Sequence, residues 1–218
     1  MTDTPESTDG FDLSPNEARV LGVLIEKSFT TPDQYPLSLN AITTGCNQLT
    51  GREPVMQLDE SEVSEAISSL LARGLVGRYE GARVVKYEHR IRLRHSLPPA
   101  EQAIMALLML RGPQTAGELR SRSERMHRFD DIPTVQAALE HLGEKYPPMV
   151  LALPRAPGTK ETRYAHLMCG EVDVASAMAA ATPAAPGGLA ARVETLEAEV
   201  AALRAELHQL KINLGETD

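Results

Sequence analysis

Hydrophobic positions recur at helical spacing through the first part of the chain. A capping box at residues 14–17, with Pro15 in the first turn, predicts the start of a helix that ends near Ser28. A second, short helix is predicted from Ser38, and a third from the Asp-x-x-Glu cap at 59–62 to the stop at Gly74. The apolar stripe of the third helix consists of Val63, Ile67, Leu70 and Leu71.

A strand pattern follows these three helices. Residues 75–79 predict one strand, residues 80–82 a turn, and residues 83–94 a second strand in which apolar and polar side chains alternate. The outward face of the second strand is expected to carry Lys86, Glu88, Arg90, Arg92 and Arg94. The pattern is typical of a half-buried β-hairpin.

The same order repeats from residue 97. Residues 97–101 mirror residues 13–17 as Leu-x-Pro-x-Glu, and further helices are predicted from Thr115 and over 131–142, followed by a second hairpin at 149–167. Three helices and a hairpin, twice over, predict a mostly helical α+β chain of two tandem winged-helix domains. We place these domains at 13–95 and 96–170 and expect an aliphatic core in each.

The C-terminal segment carries a heptad pattern. Apolar residues alternate in four- and three-residue steps, and the flanking charges would pair with opposite sign in a parallel dimer. Residues 189–214 therefore predict a parallel homodimeric coiled coil, with docking on the chain's own body or on another partner as alternatives. Its predicted dimerisation residues are Leu189, Val193, Leu196, Val200, Leu203, Leu207, Leu210 and Leu214.

Composition and charge limit the class of protein. The 218 residues carry a net charge of −8, but the acids concentrate in the ends, so a basic patch on the near-neutral body is compatible with DNA contact. Residues 1–12 predict a disordered acidic N-terminus and residues 171–188 an Ala/Pro/Gly linker. Two distant cysteines, and the lack of a signal-peptide or membrane-spanning pattern, predict a cytoplasmic protein that does not bind membranes.

Two long motifs resemble those of the YceH-like family of uncharacterised bacterial proteins. The first consists of residues 26–27, 31–40, 46–48, 52 and 54–55, and the second of residues 110–112, 114–115, 117–122, 163–164 and 166–167. The resemblance covers roughly residues 13–170 and implies a bacterial protein with two winged-helix domains. It implies no catalytic or ligand-binding residue.

Basic residues are the candidate contacts to DNA phosphates. In the first hairpin these are Arg78, Arg83, Lys86, Arg90, Arg92 and Arg94. In the second unit they are Arg120, Arg122, Arg125, Arg128, Arg155, Lys160 and Arg163. The alternative for the hairpin is a charged strand edge that prevents aggregation, and the four acids at the start of the third helix oppose its entry into the major groove.

A polar cluster surrounds the second predicted helix. Its amide and guanidinium groups either contact bases or a protein partner, or satisfy buried backbone groups of the long connection before Asp59. The cluster comprises Tyr35, Asn40, Asn47, Gln48 and Arg52.

The sequence contains no signature of catalysis. It has no glycine-rich phosphate loop, nucleophile elbow or metal-ligand spacing, so we expect neither an enzyme nor a cofactor. The predicted function is DNA binding, in the manner of a transcription regulator, by a dimer. The alternative is a protein–protein adaptor that uses winged-helix surfaces without binding DNA.

Overall fold

The computed structural model describes residues 11–79, 84–155 and 161–174. Over these residues the chain is mixed α+β and mostly helical. The predicted coiled coil at 189–214, and with it all eight dimerisation residues, lies outside the described residues, as do most of the predicted linker and acidic N-terminus. The same holds for the candidate phosphate contacts Arg83 and Lys160.

The first half of the described chain is a group of helices with a small sheet. Its elements are α1 (Pro15–Thr30), a 3₁₀ turn (Pro32–Gln34), β1 (Leu37–Ser38), α2 (Leu39–Cys46), α3 (Glu60–Ala72), β2 (Val76–Tyr79), β3 (Lys86–His89) and α4 (Ile91–His95). The sheet is antiparallel with the order β1-β3-β2. Leu37 lies opposite Tyr87, and Val76 opposite His89.

The second half repeats this arrangement. Its elements are α5 (Pro99–Arg111), β4 (Gln114–Thr115), α6 (Ala116–Ser123), α7 (Ile132–Glu144), β5 (Val150–Ala152) and β6 (Arg163–His166). The strand order β4-β6-β5 matches that of the first sheet. Each half therefore has the predicted order of three helices and a hairpin, together with a two-residue strand, β1 or β4, that is too short to leave an alternating pattern in the sequence.

The predicted helix starts have the expected caps. Ser14, Asp59 and Thr115 each accept a hydrogen bond from the backbone N–H three residues later, and the glutamate at that position accepts one from the cap residue's own N–H. Such reciprocal bonds satisfy two donors that the first helical turn leaves without partners. At the other end of α3, Gly74 adopts a φ of 68°, which a residue with a Cβ rarely tolerates.

The predicted strand over 83–94 is wrong beyond His89. The backbone N–H of Arg90 donates to the carbonyl of Leu75 at 2.7 Å, and Ile91 then begins the five-residue helix α4. Within α4 only Ile91 is buried, whereas Leu93 is 81% exposed, so the apolar–polar alternation here does not reflect burial. Of the four bases expected on one strand face, only Lys86 lies in a strand.

The two halves share one core instead of forming the two separate cores expected. Every residue of α5 from Glu101 to Leu110 is buried, and α5 packs lengthwise against α1. A Cβ at Gly22 of α1 would lie 3.0 Å from Leu110 Cγ, which shows how closely the two helices approach. A helix that is buried on all sides must be covered on all sides, and α5 contacts α1 of the first half as well as α6, α7 and β6 of the second. The buried side chains accordingly form one continuous cluster across both halves.

The longest apolar run of the described chain belongs to this packing. The run lies within α5, which has 13 residues, fewer than the roughly 20 that a bilayer requires. Among the described residues, no helix combines the length and apolarity that membrane crossing needs.

Candidate functional site

The connection between α2 and α3 is irregular and is held by polar side chains. Asn47, which ends α2, binds both backbone groups of Leu58: its Oδ1 accepts from the N–H at 2.8 Å, and its Nδ2 donates to the carbonyl at 2.7 Å. An irregular segment leaves backbone groups without secondary-structure partners, and each such group needs another when it is buried. Asn47 supplies both partners for Leu58.

Arg52 lies at the centre of this connection with a fully buried side chain. Its Nε donates to the Gly45 carbonyl and its Nη1 to the Gly51 carbonyl, each at 2.9 Å. Nη2 lies 2.7 Å from Oε2 of Glu26 and 2.8 Å from Oε1 of Gln48. Arg52 therefore joins the connection to the end of α1 and satisfies two backbone carbonyls.

Arg19 is a second buried arginine, which the sequence analysis did not select. It is 2% exposed and donates to the carbonyls of Cys46 at 3.0 Å and Pro54 at 2.6 Å. Its position directly before the apolar run 20–25 of α1 is the signal in the sequence, because a charge within a buried helical stretch needs an internal partner.

The other members of the predicted polar cluster, Tyr35 and Asn40, bind different residues. The Tyr35 hydroxyl accepts from the backbone N–H of His89 at 2.6 Å, and burial raises the pKa of Tyr35 above its ordinary value. Asn40 is exposed and donates to Glu60 at 3.4 Å. Of the five predicted residues, Gln48 and Arg52 are in direct contact, through the hydrogen bond from Arg52 Nη2 to Gln48 Oε1. Gln48 lines a surface cavity, whereas Arg52 lies behind it.

That cavity is a cleft of about 380 Å³ between the two halves. The first half contributes the end of α1 and residues 48–51, and the second contributes Arg111 and Arg125. The backbone N–H of Glu53 donates to the Leu110 carbonyl at 2.8 Å, which ties the connection to the end of α5. Stretches from both motifs of the sequence analysis meet here. We call this cavity the interhalf cleft.

The interhalf cleft is rich in positive charge. Lys27, Arg111 and Arg125 line it together with Glu26, and Lys27 Nζ lies 3.3 Å from a Glu26 oxygen. Arg111 packs on Gly51, where an added Cβ would lie 3.1 Å from Nη2. Burial lowers the pKa of Arg111, and the positive charges of Arg122 and Arg52 lower it further, while the carboxylates of Glu26 and Glu53 oppose this shift.

Sequence reasoning missed Lys27 and Arg111 as candidate site residues. Each is the basic residue in the last turn of the first helix of its half, so the internal repeat relates the two positions. Because basic residues commonly follow this pattern to complement the helix dipole, the repeat alone did not indicate a shared site. Their meeting at one cleft depends on the packing of α1 against α5.

In the predicted arginine cluster around α6, some side chains bind other residues of the protein and others line clefts at the surface. Arg120 donates to the carbonyls of Phe129 and Asp130. Arg122 and Arg163 both contact Glu118, at 3.2 and 3.3 Å. Within the described chain no ion pair is recorded for the exposed Arg125 and Arg128. Arg125 lines the interhalf cleft, and Arg128 lines a separate cleft of about 240 Å³ together with Glu124.

The described arginines of the two hairpins and of α4 are mostly exposed. Arg90 lies 3.6 Å from Glu88. Arg92 and Arg94 project from α4 into solvent, and no ion pair is recorded for them among residues 11–79, 84–155 and 161–174. Arg78 is exposed as well. In the second hairpin, exposed Arg155 donates to Thr162 at 3.3 Å.

Comparison with known proteins places the chain among close relatives. A family model described as "Protein of unknown function, DUF480" matches residues 13–159. The UPF0502 protein of Azoarcus sp. (strain BH72) is 64% identical over 215 residues, which cover 97% of this chain and 95% of that protein. A UPF0502 protein of Aromatoleum aromaticum is 61% identical, with 94% and 92% covered. One of Leptothrix cholodnii is 51% identical, with 94% and 96% covered.

Proposed function

This chain belongs to the DUF480 (UPF0502) family of bacterial proteins, and we propose that it is a non-catalytic DNA-binding protein made of two winged-helix units. The support for winged helices is the repeated order of three helices and a hairpin, with a short third strand on each sheet. In proteins of this plan the third helix or the hairpin contacts DNA.

One observation carries the DNA proposal. Arg92 and Arg94 stand exposed on α4, directly after the first hairpin, and within the described residues they form no ion pair. Arginines that are not already paired within the protein are available to neutralise phosphates and release counterions, which supplies most of the affinity for DNA. We therefore assign the principal phosphate contacts to Arg92 and Arg94, the surface that we call the α4 edge.

The third helix of the first half has a different role in this proposal. Its first turns expose Glu60 and Glu65, and the carboxylates of Asp59 and Glu62 complete the capping box. Four acids would repel phosphates at the mouth of a groove. The proposed binding mode is therefore contact with the DNA backbone through the α4 edge, without entry of α3 into the major groove.

Dimerisation is the second part of the proposal. The heptad pattern of residues 189–214 supports a parallel two-stranded coiled coil. Two copies of the α4 edge in one dimer would double the number of phosphate contacts. The affinity for DNA would then decrease more steeply with increasing salt concentration. The docking of this segment on its own body remains the alternative.

The test is fluorescence anisotropy of full-length protein with mixed genomic DNA fragments at several salt concentrations. The double variant Arg92→Gln/Arg94→Gln is expected to weaken binding on all fragments and to reduce the salt slope by up to about 2 per protomer. Arg73→Gln is the matched control, because Arg73 is already engaged with Glu17 at 3.6 Å and the Asp12 carbonyl at 3.0 Å. Absence of DNA binding at about 50 mM salt, where electrostatic affinity is strong, would refute the proposal.

A protein adaptor is the second candidate function. Leu93 on α4 is 81% exposed and Tyr146, after α7, is 88% exposed. Tyrosine is enriched in the energetic centres of protein interfaces. If the adaptor proposal holds, Leu93→Ser abolishes partner capture while the arginine variants leave it intact, which separates it from DNA binding.

A further inference from the structure

The interhalf cleft has the charge of an anion site. Among the residues that line it, Lys27, Arg111 and Arg125 are cationic and Glu26 is anionic. The Glu26 carboxylate is already matched, because Arg52 contacts both of its oxygens, at 2.7 and 3.1 Å, from the buried side. The field inside the cleft is therefore positive.

Two of the three cations are also positioned before any ligand arrives. Arg111 lies against the backbone of Gly51, whose φ of 75° and missing Cβ allow this approach. Lys27 Nζ is 3.4 Å from Gln48 Oε1 and 3.3 Å from Glu26. Side chains held in place lose little conformational entropy on binding, which favours affinity.

Two further arginines near Arg111 add to the positive charge that an anion in the cleft would meet. Arg111 is partly buried and experiences the charges of Arg122 and Arg52, which the carboxylates of Glu26 and Glu53 offset in part. An anion placed between like charges reduces their repulsion while it gains their attraction. The wall is polar rather than apolar, with hydroxyl and amide groups from Thr30, Thr50 and Gln48, so the cleft suits a small, hydrophilic, charged group.

We propose that the interhalf cleft binds a phosphate group, held by Arg111 and Arg125 from the second half and Lys27 from the first. Planar guanidinium groups match phosphate oxygens with paired hydrogen bonds, and an ammonium adds a point charge. The phosphate belongs either to a free phosphorylated small molecule or to a nucleic-acid backbone. The proposal does not rest on the α4 edge, because none of the three cations belongs to it.

The experiment is isothermal titration calorimetry of the full-length protein with inorganic pyrophosphate at constant ionic strength. Arg125→Gln, an exposed position, is expected to weaken binding by about tenfold or more. Arg128→Gln is the matched control, because Arg128 is an exposed arginine three residues away that lines the other cleft. Arg111→Lys keeps the charge but loses the paired hydrogen bonds, and we expect it to weaken binding less than Arg125→Gln does.

The outcomes separate this proposal from that of DNA binding. Absence of heat with millimolar pyrophosphate, or equal weakening by Arg125→Gln and Arg128→Gln, overturns the phosphate site. The Arg92→Gln/Arg94→Gln variant is expected to bind pyrophosphate as the unmodified chain does, whatever its affinity for DNA. Competition with saturating duplex DNA then identifies the source of the phosphate group. If DNA displaces pyrophosphate, the site binds a nucleic-acid phosphate, and if DNA and pyrophosphate bind at the same time, it binds a phosphorylated small molecule. Both results support the site.

Discussion

Arg52 and Glu26 form a bidentate ion pair, with Nη2–Oε2 at 2.7 Å and Nη1–Oε1 at 3.1 Å. Arg52 comes from the connection after α2 and Glu26 from the last turns of α1, so the pair spans two elements that are far apart in sequence. Burial raises the pKa of Glu26, but the hydrogen bonds and charge of Arg52, joined by Lys27, outweigh it and hold the pKa below its ordinary value. The pair fixes one wall of the interhalf cleft.

Removal of Arg52 is expected to destabilise the protein strongly. Arg52→Met leaves two backbone carbonyls without their partner and the Glu26 carboxylate with Lys27 alone, a change that typically costs about 3 kcal/mol in the free energy of unfolding. Urea denaturation measures it. Arg92→Met removes an exposed arginine and is expected to change the free energy by less than about 0.5 kcal/mol. Similar values for the two variants would show that the buried pair contributes nothing.

Two helical glycines are expected to respond in opposite directions to alanine. A Cβ at Gly45 of α2 would lie 2.6 Å from Val23 Cγ1, inside the core, so Gly45→Ala forces α1 and α2 apart and lowers stability by about 1–3 kcal/mol. At Gly143 of α7 the nearest atom is the Val150 carbonyl oxygen at 3.5 Å. Because alanine is the better helix former, Gly143→Ala raises stability by about 0.5–1 kcal/mol. Thermal melting checks both, and a stabilising Gly45→Ala would contradict the close packing of α1 and α2.

Stability is expected to fall on mild acidification. Burial lowers the pKa of both His89 and His166 to about 4, whereas a histidine in an unfolded chain binds its proton near pH 6.5. Between pH 6.5 and pH 4 the unfolded state binds more protons than the folded state does. The contribution of the two neutral histidines to the free energy of unfolding is therefore fully present above pH 6.5 and is lost as the pH falls toward 4. The slope is at most about 1.4 kcal/mol per pH unit for each histidine.

Urea denaturation at several pH values from 7.5 down to 5 measures this slope. The double variant His89→Gln/His166→Gln is the comparison, and its unfolding free energy is expected to depend less on pH over the same range. If both chains lost stability at the same rate, the two histidines would not be the groups that titrate.

The oligomeric state is expected to depend on the heptad positions of the C-terminal segment. Leu203 occupies a core position of the predicted coiled coil and Ala205 an outer one. Leu203→Glu is therefore expected to convert a dimer to a monomer in sedimentation velocity, and Ala205→Glu, the matched control, to leave the dimer intact. A monomeric unmodified chain would instead favour docking of the segment on its own body.

Local signals explain which elements could be predicted from the sequence. Capping boxes at Ser14, Asp59 and Thr115 and the stop at Gly74 depend on contacts within a few residues, so their positions were correct. The end of β3 was not, because Arg90–Arg94 continues an alternating pattern that a strand and a short exposed helix can both carry. Which of the two forms is decided by the Arg90–Leu75 hydrogen bond and the burial of Ile91.

By itself, the sequence determined the family, the internal repeat, the mixed and mostly helical class and the order of the helices other than α4. These follow from periodicity and caps, which act over one or two turns. The tertiary structure decided that the two halves share one core, that Arg19, Asn47 and Arg52 serve backbone groups, and that Lys27 and Arg111 line the same cleft. Such relationships join residues that are distant in sequence: the partners of Arg19, Asn47 and Arg52 come from other parts of the first half, and the packing of α1 against α5 places Lys27 and Arg111 at the same cleft.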